Sequence, residues 1–299
     1  MTDRPDLLLV SAVSPALEAE LGKRFTLHRE PEPGIRAIVG SGMSVVDRNL
    51  LSRLPALEII AIHGVGHDGI DLETARARGV RVTLTPDVLT DDVADLAIAL
   101  MLAVQRRVAS NDRAVREGGW NVPLARRASG RRIGLFGMGR IGQAIARRAA
   151  PFAAEILYTS RSAKPALPWR FVADVEALAA CCDVLIVAAS AGPDSHRAIG
   201  SAAIEALGPD GVLINIARGS IVDEAALVAA LEGGRLGGAG LDVFADEPRV
   251  PEALSRLDQV VLSPHQGSAT REGRAEMAAL VLANLDAHFA GQPLPTAIV

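Results

Sequence analysis

The sequence predicts an α/β protein built on parallel sheets, and three observations carry that prediction. Short aliphatic runs of strand length alternate with longer runs of helical period along the whole chain. A strand-like run ends in a glycine-rich turn at Gly137-Met138-Gly139-Arg140-Ile141-Gly142 and is followed by a helical run. The chain has 299 residues, 49% of them hydrophobic and 22% charged, which is enough to fill two domains of ordinary globular composition.

The elements follow in order. Leu7–Val10, Ala37–Gly40 and Glu58–Ile62 read as strands of a first unit. A long helix is predicted to start with Thr90 or Asp91 as its N-cap. Its apolar face runs through Val93, Leu96, Ala97, Leu100 and Val104 at helical spacing. Arg106 and Arg107 suit the negative end of its dipole. A Gly-, Arg- and Pro-containing stretch from Gly118 to Gly130 separates this helix from a second unit. There, Arg132–Phe136, Glu155–Tyr158, Asp183–Val187, Val212–Asn215, Gly240–Val243 and Gln259–Leu262 read as strands. Arg140–Ala150 reads as a helix, and so does the run from Asp223 to about Leu231, which stops on Gly233-Gly234. A last helix over Thr270–Phe289 carries Met277, Leu280, Val281 and Leu285 on one face. It is expected to return to the first unit. The expected domains are therefore 1–94 with 267–299, and 95–266.

Charge and cysteine content exclude several classes. Thirty-one Lys and Arg against 35 Asp and Glu give a net charge of −4, so no basic field invites nucleic acid. Cys181 and Cys182 are adjacent, have no metal-ligand spacing, and fall where a helix gives way to a strand. They read as reduced core residues. The start, Met1-Thr2-Asp3-Arg4-Pro5-Asp6, is acidic and proline-bearing where a signal peptide is basic and then apolar. The apolar stretch Leu96–Val104 is too short to span a bilayer. A cytoplasmic location without membrane or nucleic-acid partners is the expectation.

The glycine-rich turn is a G-x-G-x-x-G in the right place, directly after the strand Ile133-Gly134-Leu135-Phe136 and directly before a helix. Gly137 permits the tight turn, Gly139 lets backbone approach a pyrophosphate, and Gly142 lets helix and strand pack closely. The amides from Arg140 and Ile141 onward open the helix toward the anion. The end of the next strand sets the cofactor. An NAD site usually places Asp or Glu there for the ribose 2′-hydroxyl. This chain reads Tyr158-Thr159-Ser160-Arg161-Ser162, with hydroxyls and a guanidinium that suit a 2′-phosphate. NADPH is the expected cofactor, with NADH as the second choice. No metal is expected: His28, His63, His67, His196 and His288 have no ligand-like spacing.

Three further segments follow strands: Asn215-Ile216-Ala217-Arg218-Gly219, Asp242-Val243-Phe244-Ala245-Asp246-Glu247-Pro248 and Ser263-Pro264-His265-Gln266-Gly267-Ser268. In an open parallel sheet, ligands bind just past the carboxyl ends of strands. Arg218, Glu247 and His265 are thus candidates for one site, although singly each could be an ordinary ion-pair or loop residue.

Together with Gly64-Val65-Gly66-His67-Asp68-Gly69-Ile70-Asp71 and Thr85-Pro86-Asp87-Val88-Leu89-Thr90-Asp91-Asp92-Val93-Ala94-Asp95, these segments occur in the order found in the D-isomer-specific 2-hydroxyacid dehydrogenases. The chain resembles that family along nearly its whole length. The Thr85–Asp95 stretch and Ser160-Arg161-Ser162 look most like its NADPH-using hydroxyphenylpyruvate and glyoxylate/hydroxypyruvate reductases. The resemblance implies two Rossmann-like or flavodoxin-like domains with the active site in the cleft between them, and a homodimer whose interface draws on the long helix near Asp91. It implies reduction of a small 2-keto acid to a D-2-hydroxy acid. Arg218 would bind the carboxylate and polarise the carbonyl, His265 would donate the proton, and Glu247 would hold the other ring nitrogen. The N–H groups of Val65 and Gly66, in the turn opened by Gly64, would cradle the carboxylate. Ile216, by its carbonyl, and Asp242 would hold the nicotinamide carboxamide. Arg218, His265 and Gly267 would complete the cofactor contacts.

Two positions depart from the common pattern. Gln266 follows the histidine where many relatives carry an aliphatic residue, and aromatic residues total only 3%. Two other readings share this fold: a formate or phosphonate dehydrogenase, with Glu247 arguing against formate oxidation, and a dinucleotide-sensing corepressor-like binding protein, against which the set Arg218, Glu247 and His265 argues.

Overall fold

A computed structural model describes residues 4–299. It contains two compact units, Met1–Leu89 with Thr270–Val299, and Thr90–Ala269. Every strand pair in both sheets is parallel.

In the first unit the strands are β1 (Asp6–Leu9), β2 (Thr26–His28), β3 (Ala37–Ser41), β4 (Ile59–His63) and β5 (Arg81–Thr83), in the order β2-β1-β3-β4-β5. That is the flavodoxin-like doubly wound order. Period-two alternation splits the strands between two cores. Leu7, Leu9, Ala37, Val39, Ile59 and Ala61 face one side, with Leu17, Leu21, Val281 and Leu285. Leu8, Ile38, Ile60 and Ile62 face the other, with Leu51, Leu54 and Ala75. The helix Arg271–Phe289 covers the first of these faces, with Thr270 as its N-cap accepting from the Gly273 amide. The chain then runs back beside β5: Ile298 N donates to Val82 O, and the buried Asn284 side chain bonds both to Thr296 N and to Thr296 Oγ1.

In the second unit the strands are β6 (Arg131–Phe136), β7 (Ala153–Thr159), β8 (Arg170–Phe171), β9 (Val184–Val187), β10 (Val212–Asn215), β11 (Gly238–Leu241) and β12 (Val260–Leu262). Their order is β12-β11-β10-β9-β6-β7-β8. Counted from β6, this is the dinucleotide-fold order 3-2-1-4-5-6 with one more strand at the edge. The order reverses between β6 and β9, so the chain opens a crevice at the carboxyl end of β6. One face carries the core of Leu157, Leu185, Leu213, Ala239, Leu231 and Ile204. The buried Cys182 thiol lies in this core, and burial pushes its pKa up to about 12. The long helix spans Thr90–Gln105, so Thr90 is its first helical residue rather than its cap. Its residues Val93, Ala94, Ala97, Leu100, Met101 and Val104 are buried within its own unit. Among the described residues no helix is long and apolar enough to cross a membrane.

Candidate active site

The glycine-rich turn sits at the carboxyl end of β6. Gly137 has φ +106°, and a Cβ there would lie 2.5 Å from the Ala189 amide nitrogen. A Cβ at Gly142 would lie 2.1 Å from the Gly137 carbonyl oxygen, so the turn and the helix are in backbone contact. Gly139 differs: a Cβ added there meets nothing within 4 Å. Its side faces open space at the start of the helix Arg140–Ala149, whose N-cap makes no side-chain hydrogen bond. An uncapped helix N-terminus beside open backbone suits a dinucleotide pyrophosphate.

At the end of β7, Thr159 Oγ1 is turned inward and donates to Val172 O at 2.9 Å. Ser160 Oγ donates to Ser162 O at 2.7 Å, which closes the Ser160-Arg161-Ser162 turn and leaves the Arg161 side chain exposed. Arg161 forms no ion pair among the described residues.

The other three segments converge past β10, β11 and β12. Asn215, fully buried at the end of β10, ties the Arg218 turn by donating from Nδ2 to Arg218 O at 3.0 Å and accepting from Ala217 N at 3.1 Å. Arg218 stays half-buried, with Nη1 on Ala217 O at 2.8 Å. Gly219 is pressed against the next loop: a Cβ there would lie 1.9 Å from the Phe244 carbonyl carbon and 2.4 Å from the Ala245 nitrogen. That contact brings the Arg218 turn against the loop that carries Glu247.

Glu247 accepts from Phe244 N at 2.9 Å with Oε1 and meets His265 Nδ1 at 2.8 Å with Oε2. Burial raises the pKa of this carboxyl, but the bonds from His265 and Phe244 N outweigh it. With the Arg218 charge added, the pKa lies below the usual carboxylate range. Glu247 is therefore ionised near neutrality, and Nδ1 of His265 carries the proton it donates. The other ring nitrogen, Nε2, has no hydrogen bond among the described residues.

Asp242, directly after β11, is almost fully buried and is bonded to the His265 loop. Its Oδ1 accepts from Ser263 Oγ at 2.5 Å and from Gln266 N at 2.7 Å, and its Oδ2 accepts from Gly267 N at 2.8 Å. Its backbone carbonyl accepts from His265 N at 2.9 Å. The Gly267 amide is thus engaged by the protein itself. Asp242 Oδ2 accepts no second hydrogen bond among the described residues. Ile216 is buried and donates to Val187 O at 3.4 Å. Sequence reasoning did not single out Glu224, whose Oε2 accepts from Ala245 N at 3.1 Å and steadies the Glu247 loop. Its only signal is an acid one residue after the N-cap Asp223.

In the first unit, Gly64 follows β4 with φ +152°, and the Gly64–Gly66 turn lies against Gly42, whose added Cβ would be 3.2 Å from Gly66 N. Gly64 O accepts from Thr85 N at 2.8 Å. His28 and His288 are paired with Asp6 and Glu58, and His196 is exposed.

A doubly wound nucleotide sheet bearing an acid–imidazole pair beside an arginine defines the class of protein as a dinucleotide-dependent oxidoreductase. Comparison with known sequences gives the family. The profile for the "D-isomer specific 2-hydroxyacid dehydrogenase, NAD binding domain" matches residues 98–267. The chain is 49% identical to the hydroxyphenylpyruvate reductase of Plectranthus scutellarioides, over 98% of each protein. It is 44% identical to the 2-ketogluconate reductase of Gluconobacter oxydans over the full length of both. Among solved structures it is similar to the NADPH-dependent glyoxylate/hydroxypyruvate reductase of Sinorhizobium meliloti in complex with NADP and malonate. That match has 39% identity and a TM-score of 0.94, covering 99% of this chain and 97% of the other. The chain belongs to the D-isomer-specific 2-hydroxyacid dehydrogenase family, and it is an enzyme of the oxidoreductase class that uses a nicotinamide cofactor.

Proposed function

We propose that the protein reduces small 2-keto acids to D-2-hydroxy acids with NADPH, glyoxylate and hydroxypyruvate first and 4-hydroxyphenylpyruvate among the larger candidates. The observation that carries this reading is the 2.8 Å bond between His265 Nδ1 and Glu247 Oε2, next to Arg218, at the carboxyl ends of the nucleotide-fold strands. Bound nicotinamide supplies a hydride to the carbonyl carbon. The planar fork of Arg218 binds the carboxylate and polarises the carbonyl oxygen. Glu247 fixes the imidazole so that Nε2 presents a proton to the developing alkoxide. The Val65 and Gly66 amides hold the substrate carboxylate.

Gly137, Gly139 and Gly142, with the amides from Arg140 and Ile141, receive the pyrophosphate. Ile216 O and Asp242 Oδ2 receive the carboxamide. The first unit is assigned the substrate and the second the cofactor. Preference for NADPH rests on Ser160, Arg161 and Ser162, in a turn that carries no carboxylate. The NADP-bound relative supports it.

The working form is proposed to be a cytoplasmic homodimer. The interface is assigned to the long helix near Asp91, by the face it does not bury in its own unit, together with the stretch that follows it. There Val108, Val115, Trp120 and Leu124 are exposed, the last two by 85% and 98%. Sedimentation of the purified protein checks the assembly.

The deciding experiment is a kinetic panel of glyoxylate, hydroxypyruvate, pyruvate, 4-hydroxyphenylpyruvate and 2-ketogluconate, with NADPH and NADH in parallel. Turnover of at least one small keto acid, faster with NADPH, is expected. Binding of NADPH without oxidation by any of them contradicts the reading.

A further inference from the structure

The first unit holds a cation that the catalytic reading leaves unused. His63 is the last residue of β4 and is about nine-tenths buried. Its ring faces the helix Arg271–Phe289, on the same side of the strand as Ile59 and Ala61. Nε2 lies 3.4 Å from the Arg274 carbonyl oxygen, and Nδ1 lies 3.4 Å from Nη1 of the same arginine. A guanidinium can only donate, so Nδ1 is the acceptor and Nε2 carries the proton. Burial, more than the adjacent Arg274 charge, lowers the His63 pKa, so the ring is neutral and can hold the guanidinium without repelling it.

Arg274 itself has no carboxylate partner among the described residues. Other arginines of this unit do: Arg24 pairs with Glu20 and Asp286, Arg29 with Glu18, and Arg36 with Glu58. The helix runs antiparallel to β4, since Arg274 meets His63 at one end and His288 meets Glu58 at the other. The half-buried guanidinium is therefore fixed at the carboxyl end of β4, where the chain enters the Gly64–Gly66 turn. Val65 follows His63 by two Cα steps of about 3.8 Å each.

We infer that Arg274, held by neutral His63, is a further binding residue for the substrate's carboxylate, adding a full positive charge to the anion cradle of the Val65 and Gly66 amides. This rests on the assignment of that turn to the carboxylate under the proposed function. A charge-assisted contact in a half-buried site gives roughly 10- to 100-fold in affinity. The effect falls on binding rather than on proton transfer, because among the described residues the Arg274 side chain bonds only to His63.

The test is equilibrium binding of oxalate, a non-reducible two-carbon anion, to the NADPH-loaded protein, the NADPH-free protein and its variants. Arg274→Met should weaken oxalate binding at least ten-fold and flatten its salt dependence, while Arg274→Lys should recover most of the affinity. A wild type that binds no oxalate overturns the inference. So does an Arg274→Met protein that binds it as tightly as wild type. Equal losses in the Lys and Met variants mean that Arg274 is only a strut between helix and strand, and also overturn it. Keto-acid reduction by the wild type is followed in parallel. Turnover with unaltered oxalate binding in Arg274→Met removes this inference and leaves the proposed function standing. Absence of turnover removes the proposed function, while the oxalate arm still decides the role of Arg274.

Discussion

Asp242 fixes His265 through both backbone and side chain. Its carbonyl accepts from the His265 amide at 2.9 Å, and its carboxylate accepts from the residues on either side, Ser263, Gln266 and Gly267. His265 needs this support because it is a non-glycine residue at φ +54°, a conformation that costs about 1–3 kcal/mol unless its surroundings impose it. The imidazole that meets Glu247 is therefore held by a loop wrapped around one buried carboxylate.

Asp242→Asn should unsettle that loop, because an amide turns an NH2 toward donors that need an acceptor. A loss of about 2–4 kcal/mol in stability is expected, together with a fall in kcat of at least ten-fold. Denaturant unfolding and steady-state kinetics check both. Ser263→Ala, which removes one of the three donors and leaves the carboxylate, should have a smaller effect on each.

Gly219→Ala places a methyl group inside the Phe244–Ala245 peptide, and backbone cannot yield as a side-chain tip can. The expected loss of stability is more than about 2 kcal/mol, with kcat falling because the Arg218 turn and the Glu247 loop are forced apart. Circular dichroism melting and keto-acid kinetics measure the two effects.

Arg161→Ala should lower kcat/KM for NADPH by about 10- to 100-fold and leave that for NADH nearly unchanged, since only the 2′-phosphate loses a charge-assisted contact. The ratio of the two values is the readout. An unchanged ratio would assign the preference elsewhere.

Acid should unfold the protein through its paired carboxylates. Hydrogen bonding from Arg36 holds Glu58 below its ordinary value. In Asp183 and Glu247, burial acts upward but is outweighed by bonds from Arg132 and from His265 respectively. A lowered folded-state pKa contributes stability that is complete above the unfolded value of about 4 and is lost as pH falls through the folded one. The carboxylate contribution should thus be flat from neutrality to about pH 5 and decline below it, and Glu58→Gln should make that decline shallower. Urea midpoints across that range measure it.

Much of the fold was legible because parallel strands buried on both faces read as unbroken aliphatic runs. Val212–Asn215 is a strand with the bounds its sequence suggests, and the other main strands shift by one or two residues at their ends. The short edge strands β2, β5 and β8 carry too few apolar residues to signal themselves, and they form because a neighbour offers its backbone. The helix Val108–Arg116 buries no residue and so shows no core-facing stripe. At the site, the order of motifs pointed to Arg218, Glu247 and His265. The supports did not show: Glu224 and Arg274 are single charged residues in helices, and Asp242 gave no hint that its carboxylate would be used to hold a loop.

The most direct test of the account is to replace the imidazole and measure chemistry and cofactor binding separately. His265→Ala, compared with wild type on glyoxylate or hydroxypyruvate, should lose about 10²- to 10⁴-fold in kcat while the Kd for NADPH stays within a few-fold. Retention of kcat, or loss of NADPH binding in its place, would contradict the assignment of His265 as the proton donor.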